Sequence, residues 1–229
     1  MSISSRGCWG IGAARDRGLD MAGEMSGQPM GRPRGELWLV RHGETEWSAS
    51  GRHTGRSDVA LTEEGRRQAA LLTERLAGRS FSHVLSSPLA RALDTCKIAG
   101  YGDAAELSDD LREWDYGDYE GLTITEIRGK VPGWTIWNGD PPGGEGIAQV
   151  AVRARRVIDR ARSAGGDVAL FAHGHVLRVL AVCWLGLPPD NGRFFALGTA
   201  SLSILGYERE TSVITLWNQE WCEYTRKKK

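Results

Sequence analysis

No apolar run in the chain approaches the roughly 20 residues needed to cross a bilayer. The first 35 residues, rich in Gly, Arg and Ser, lack the continuous apolar centre of a secretory signal. An excess of one charge is also missing. The 29 Lys and Arg residues balance 29 Asp and Glu, which leaves no electrostatic case for nucleic acid as the main partner. The terminal Arg226-Lys227-Lys228-Lys229 reads as a solvated tail rather than a binding arm. Cysteine is sparse. Cys8, Cys96, Cys183 and Cys222 show neither CxxC nor metal spacing, and Cys96 and Cys183 fall inside apolar helical patterns as small core residues. A reduced, cytoplasmic compartment fits this usage. No Cys/His/Asp cluster has the spacing of metal ligands, so neither metal nor cofactor is expected.

What is present suffices for one folded domain: 229 residues, 41% of them apolar and 25% charged. Residues 1–35 read as a disordered leader in which Met21, Met25 and Met30 could each be an alternative start. Residues 36–218 read as the domain, and 219–229 as a basic tail. Short apolar runs at 37–40, 81–85, 105–107 and 168–172 predict strands, and 202–205 and 213–217 predict two closing strands at a sheet edge. Between them, Thr62 caps a helix with an Ala69, Leu72 and Leu76 face, ended by Gly78. Ser87 caps a second, with Pro88 at its first position and Leu89, Ala92, Leu93 and Cys96 facing the core. A short helix follows over 124–129 and a strongly amphipathic one over 147–164, with its arginines off the stripe. A last helix, 176–185, is stopped by Gly186 and Pro188. Strands alternating with helices predict an α/β fold: one three-layer domain with a mostly parallel central sheet flanked by helices.

The chain is organised around Leu37–Trp47, LWLVRHGETEW. An apolar run the length of a buried parallel strand ends abruptly in Arg41-His42-Gly43. In an open α/β sheet the carboxyl ends of strands face the ligand crevice. Arg41 and His42 therefore belong at its lip, with Gly43 letting the backbone turn and a ligand approach. A second strand ends the same way, Phe171-Ala172-His173-Gly174, and a third ends in Ser86-Ser87-Pro88 with Arg91 a turn into the following helix. Parallel strands would bring Arg41, His42, Arg91 and His173 together. Guanidinium groups offer forked donors for phosphate oxygens, and a neutral imidazole among them can attack phosphorus. His173, if protonated, would help stabilise the transition state. The leaving alkoxide needs a proton, and Glu113, in the loop with Trp114 and Tyr116, is the candidate because partial burial would keep it protonated.

The sequence at this point resembles the histidine phosphatase superfamily, also called phosphoglycerate mutase-like. The motifs are RHGETEW, LTEEGRRQA, SSPLARALDT, LREWDYGDYEG and AHGHVLRVL, and the resemblance spans nearly all of 37–217. It implies that His42 is the phosphorylated histidine, that Arg41, Arg91 and His173 complete the phosphate pocket, and that Glu113 is the proton donor. It also implies that Thr54, Gly55 and Tyr116 line the substrate site beside Gly174. Three departures lean toward a phosphatase rather than a mutase. Ser48 stands where many members have an asparagine on the phosphate. The stretch 122–146 is short, with Arg128 and Lys130 its only basic residues. His175 replaces the usual mutase asparagine. EWDYGDYEG and GRHTG look most like the acid-phosphatase and sedoheptulose-bisphosphatase-like members.

The expected function is a metal-independent phosphatase acting on small phosphomonoesters such as sugar phosphates, with an acidic to neutral optimum. A phosphoglycerate mutase, a non-catalytic phospho-ligand binding module and a nucleic-acid module are the alternatives. His53 and His83 read as ordinary. His175 is open between a pocket residue and a solvent-facing group. Trp134 to Trp137 read as packing rather than a substrate platform. Trp217 and Trp221, taken as exposed, could mark a homodimer contact.

Overall fold

The run Leu37–Val40 has no polar face because it needs none. In the computed structural model, which describes residues 35–221, β1 (Leu37–Arg41) lies inside a six-stranded sheet with both faces covered. Leu37 and Leu39 enter one apolar cluster and Trp38 and Val40 the other. The remaining strands are β2 (His83–Ser86), β3 (Ala105–Leu107), β4 (Val168–Ala172), β5 (Leu202–Glu208) and β6 (Thr211–Gln219), in the order β3-β2-β4-β1-β5-β6. β1, β2, β3 and β4 are mutually parallel, while β5 runs antiparallel to β1 and β6 antiparallel to β5. The last two strands thus form the expected hairpin at the edge.

Two layers of helices complete the α/β sandwich. Leu72 and Leu76 of α2 (Glu63–Leu76) and Cys96 of α3 (Ala90–Ile98) pack on the Trp38 face. The apolar stripes of α5 (Ile147–Ser163) and α6 (Gly174–Trp184) pack on the Leu37 face. Two short helices, α1 (Glu46–Ala49) and α4 (Ile124–Lys130), sit in the connections. This is the predicted fold class. The leader, Cys8, Cys222 and the basic end of the tail lie outside the described residues. Among the described residues no helix is long and apolar enough to cross a membrane.

Register determines where the site forms. Val40 on one side of β4 and Ser86 on the other both pair with Phe171. The residues that follow, Arg41-His42, Ser87 and His173, therefore leave the sheet side by side at its carboxyl edge.

Several boundaries differ from expectation, for identifiable reasons. Thr62 caps α2 from its own side chain, accepting from Gly65 N at 2.9 Å, as predicted. Helix α3 starts at Ala90 rather than Pro88, because the Asp58 carboxylate accepts the Ala90 N–H at 2.8 Å and supplies the cap from a distant loop. Helix α6 starts two residues early, at Gly174, because Glu113 caps it. On α5 one arginine is not off the stripe: Arg153 is buried. Trp217 and Trp221 are half-buried. Trp217 packs on Phe195 and donates to the Ala196 carbonyl, and Trp221 lies under Arg75, so neither offers the open apolar face the dimer expectation used.

Candidate active site

His42 follows β1 and is only 5% exposed. Its Nδ1 lies 2.7 Å from the Gly43 carbonyl, an acceptor only, so Nδ1 carries the proton and Nε2 keeps its lone pair. Burial, and then the nearby Arg41 and Arg91 charges, hold this imidazole well below its usual titration range. At neutral pH the ring is therefore uncharged, with Nε2 unprotonated. Gly43 serves the fold rather than the ligand: a Cβ there would meet the Gly65 carbonyl at 2.3 Å, so the glycine lets α2 pack against the strand end.

Arg41 is anchored by Nη1 donating to the Leu197 carbonyl. Its Nε is buried without a partner among the described residues, an unspent donor beside the cleft.

His173 stands beside His42, ring centroids 5.2 Å apart. Its Nδ1 accepts from Arg91 Nε at 3.1 Å, so the proton sits on Nε2, which faces Ser87 Oγ at 2.8 Å. The expectation of a protonated His173 does not hold in this arrangement: burial, then Arg91 and His42, push its titration well below the usual range, and Nδ1 is committed as an acceptor. Arg91 is fully buried. Besides His173 it holds the carbonyls of Thr54, Gly55 and Ser57, at 2.8–3.1 Å. It is thus a brace between the strand ends and the loop above them, with little of its fork left to offer a phosphate.

Glu113 arrives from the loop between two short 3-10 turns, 109–111 and 117–119. It is 7% exposed and its carboxylate accepts three backbone N–H groups at 2.9 Å, from Trp114, His175 and Val176. Two of these open α6, where the helix dipole favours a negative group; both oxygens act as acceptors, the arrangement of an ionised carboxylate, so partial burial alone does not supply the protonated acid expected from the sequence.

A cleft of about 190 Å³ opens onto these groups. It is lined by Arg41, His42, Glu113, Thr54, Tyr116 and Gly174 among the expected residues. Ser48 lines it too, but its hydroxyl accepts from Thr45 N and donates to the Thr45 carbonyl, closing the capping box of α1. The donation to phosphate expected of Ser48 is therefore already spent. Gly55 is not a lining residue. It lets the backbone pass where a Cβ would meet the Trp114 carbonyl at 2.4 Å, and it donates to Glu120. Tyr116 is buried and keeps its proton, its titration pushed well above the usual range by burial and then by Glu113; its hydroxyl meets His175 Nδ1 at 2.6 Å. His175 is thereby assigned to the pocket. It stays neutral through burial and then the Arg178 charge.

Five lining residues were not anticipated: Gly51, Arg52, His53, Arg178 and Leu197. His53 packs edge-on to Tyr116 and Trp134. Arg178 stacks 4.6 Å above Trp137 and donates to the Gly192 carbonyl. The signal for Arg178 was available, since it is an arginine near the start of a helix that follows a strand end, as Arg91 is. Trp134 and Trp137 support these residues and do not line the cleft, in line with the packing reading. A larger cavity, about 630 Å³, lies between Gln68, Leu71, Thr199 and Trp221 and contains none of the expected site residues. Among the described residues no three His, Cys, Asp or Glu side chains group as metal ligands would.

The arrangement can hold an anion, present a neutral imidazole to it, and place a carboxyl beside the departing group. Residues 37–220 match the histidine phosphatase superfamily (branch 1). An acid phosphatase of Mycobacterium tuberculosis is 42% identical over 194 residues, covering 82% of this chain and 95% of that protein. The sedoheptulose 1,7-bisphosphatase of Saccharomyces cerevisiae is 35% identical over 181 residues, covering 65% and 67%. The solved structure of an open reading frame product from Mycobacterium tuberculosis superposes with a TM-score of 0.77 at 40% identity, covering 81% of this chain and 98% of that one. With its strand-end histidines and its match over the whole described sheet, this chain belongs to the histidine phosphatase superfamily, branch 1.

Proposed function

We propose that the chain is a metal-independent phosphatase that hydrolyses small phosphomonoesters through a phosphohistidine on His42. The single observation that carries this is the His42 ring, buried beside Arg41 and His173 with Nδ1 bound to the Gly43 carbonyl and Nε2 free.

The Nε2 lone pair attacks phosphorus as the bond from phosphorus to the leaving oxygen breaks. Glu113 gives its proton to that oxygen and the alcohol departs. Water then attacks the phosphohistidine. Its proton goes to Glu113, the P–N bond breaks, its electron pair returns to Nε2, and inorganic phosphate leaves. Arg41, and a donated Nε2–H of His173 if substrate displaces Ser87, balance the charge on the phosphoryl oxygens. Arg178 and Arg52 stand on the same cleft as Glu113 and would face the leaving group. Sugar phosphates suit this polar lining, and the relatives named acid phosphatase and sedoheptulose 1,7-bisphosphatase fit a phosphatase, whereas others, 31–33% identical, are named probable phosphoglycerate mutase.

The test is phosphate release from a panel of sugar phosphates, phosphoglycerates, nucleotides and phosphoserine, with p-nitrophenyl phosphate as the generic substrate. Release that survives a chelator supports the proposal. Isomerisation of 3-phosphoglycerate without release would make the chain a mutase, and no turnover of any substrate would leave only a binding module.

A further inference from the structure

The loop that carries Glu113 has no helix or strand of its own to hold it. Besides the bonds from the start of α6 to the Glu113 carboxylate, it is held from behind the cleft. Arg153, on α5, uses all five guanidinium donors. Nε and one Nη2 hydrogen bond form a fork onto the Glu145 carboxylate, at 3.0 and 2.9 Å. Nη1 donates to the carbonyls of Asp110 and Arg112, and Nη2 to that of Glu113 itself at 3.2 Å. Glu145 in turn accepts the Asp115 N–H at 3.0 Å, and its backbone carbonyl accepts the Trp114 indole N–H at 2.7 Å. The two side chains are 8% and 22% exposed. Together they grip the loop on both sides of Glu113, at 110, 112, 113, 114 and 115. Neither lines the cleft.

We propose that Arg153 and Glu145 are a positioning pair for the proton donor, setting where the Glu113 carboxyl meets the leaving oxygen. The inference rests on the reading of Glu113 as that donor. Proton transfer requires approach to about 2.6–3.2 Å, and a misplacement of about 1 Å can cost on the order of a hundredfold. A fork that fixes three carbonyls and a carboxylate at once is suited to holding a loop to that tolerance, and a lysine, with its compact charge, cannot reproduce it.

The test is a leaving-group series: 2,4-dinitrophenyl, p-nitrophenyl, phenyl and glycerol 2-phosphates. It compares wild type with Arg153→Lys, Glu145→Gln and, as reference, Glu113→Gln. Arg153→Lys keeps a cation opposite Glu145, and thermal melting confirms each fold. A leaving group that is stable as an anion needs no proton, whereas an alkoxide does. The loss in kcat/KM, which reports the steps up to departure of the leaving group and not the later hydrolysis of the phosphohistidine, should therefore steepen along the series, reaching about a hundredfold for glycerol phosphate relative to the dinitrophenyl ester, in both positioning variants and in Glu113→Gln. A steep Glu113→Gln series with a uniform loss in Arg153→Lys and Glu145→Gln would overturn the positioning role alone. A flat Glu113→Gln series would overturn the proton-donor reading and this inference with it.

Discussion

Arg41, His42 and His173 are the residues that end two neighbouring parallel strands, and the ladder between β1 and β4 places them. Glu113, Thr54 and Tyr116 hang from loops, and what places them is a set of long-range hydrogen bonds: Arg91 to the carbonyls of 54, 55 and 57, Glu113 to the start of α6, Arg153 to the carbonyls of 110, 112 and 113. The floor of the cleft is thus fixed by backbone pairing that any sequence of this sheet would make. The rim is fixed by buried charged side chains acting on backbone groups. The floor should tolerate changes around it and fail only at its chemical groups, whereas the rim should be sensitive to changes that never touch substrate.

Replacing His42 by alanine breaks the floor chemically without disturbing its pairing. Turnover of p-nitrophenyl phosphate should fall by about 10⁴-fold or more, with thermal melting showing the fold retained. A variant that keeps its rate would refute the assignment.

Acid acts on floor and rim together. His42, His173 and His175 are all held neutral, their titration depressed chiefly by burial. Their folded values lie below the unfolded one, near 6.5. The stability they allow is whole above that pH and is lost as pH falls, because the unfolded imidazoles bind protons that the folded ones refuse. Each contributes up to about 1.4 kcal/mol per pH unit in this window. Urea unfolding at pH 7 and 5.5 should show a clear drop in stability, and an unchanged midpoint would contradict it. The rate on an aryl phosphate should not decline between those values as it would for an ordinary imidazole nucleophile.

Gly55→Ala tests the rim alone. The added Cβ would lie 2.4 Å from the Trp114 carbonyl and 2.7 Å from Glu120 Oε2, and a backbone oxygen cannot move away cheaply. A loss of about 1–3 kcal/mol, read by denaturant unfolding, should come with a fall in activity, since the neighbouring Thr54 lines the cleft. The smallest effect belongs to Ser48→Ala, which removes the reciprocal half of the α1 capping box, the Thr45 N–H to Ser48 hydroxyl bond, while Thr45 still caps the helix; it should cost about 1 kcal/mol or less with little change in KM. A tenfold rise in KM would show that the hydroxyl does reach the phosphate.

The same contrast explains what the sequence made legible. Strands read from local apolar runs, and two of them ending in His-Gly foretold the floor, because parallel pairing is all that juxtaposes them. Thr62 was readable as a cap because its acceptor and donor lie three residues apart. The starts of α3 and α6 were not, because Asp58 and Glu113, which cap them, are far off in the chain. Arg91 was foreseen as a phosphate ligand and found as a brace, since spacing shows a charge but not which carbonyls will absorb it. Arg153 carried a weak signal: three residues after Val150 and four before Val157, it sits on the apolar stripe where a charge needs a buried partner.

The central claim is tested most directly by quenching the wild-type chain in alkali, where phosphohistidine survives, during steady turnover of p-nitrophenyl phosphate, and locating any added phosphoryl group by peptide mass spectrometry. It should appear on the peptide carrying His42 and be absent in His42→Ala. A phosphoryl group on another residue would contradict it.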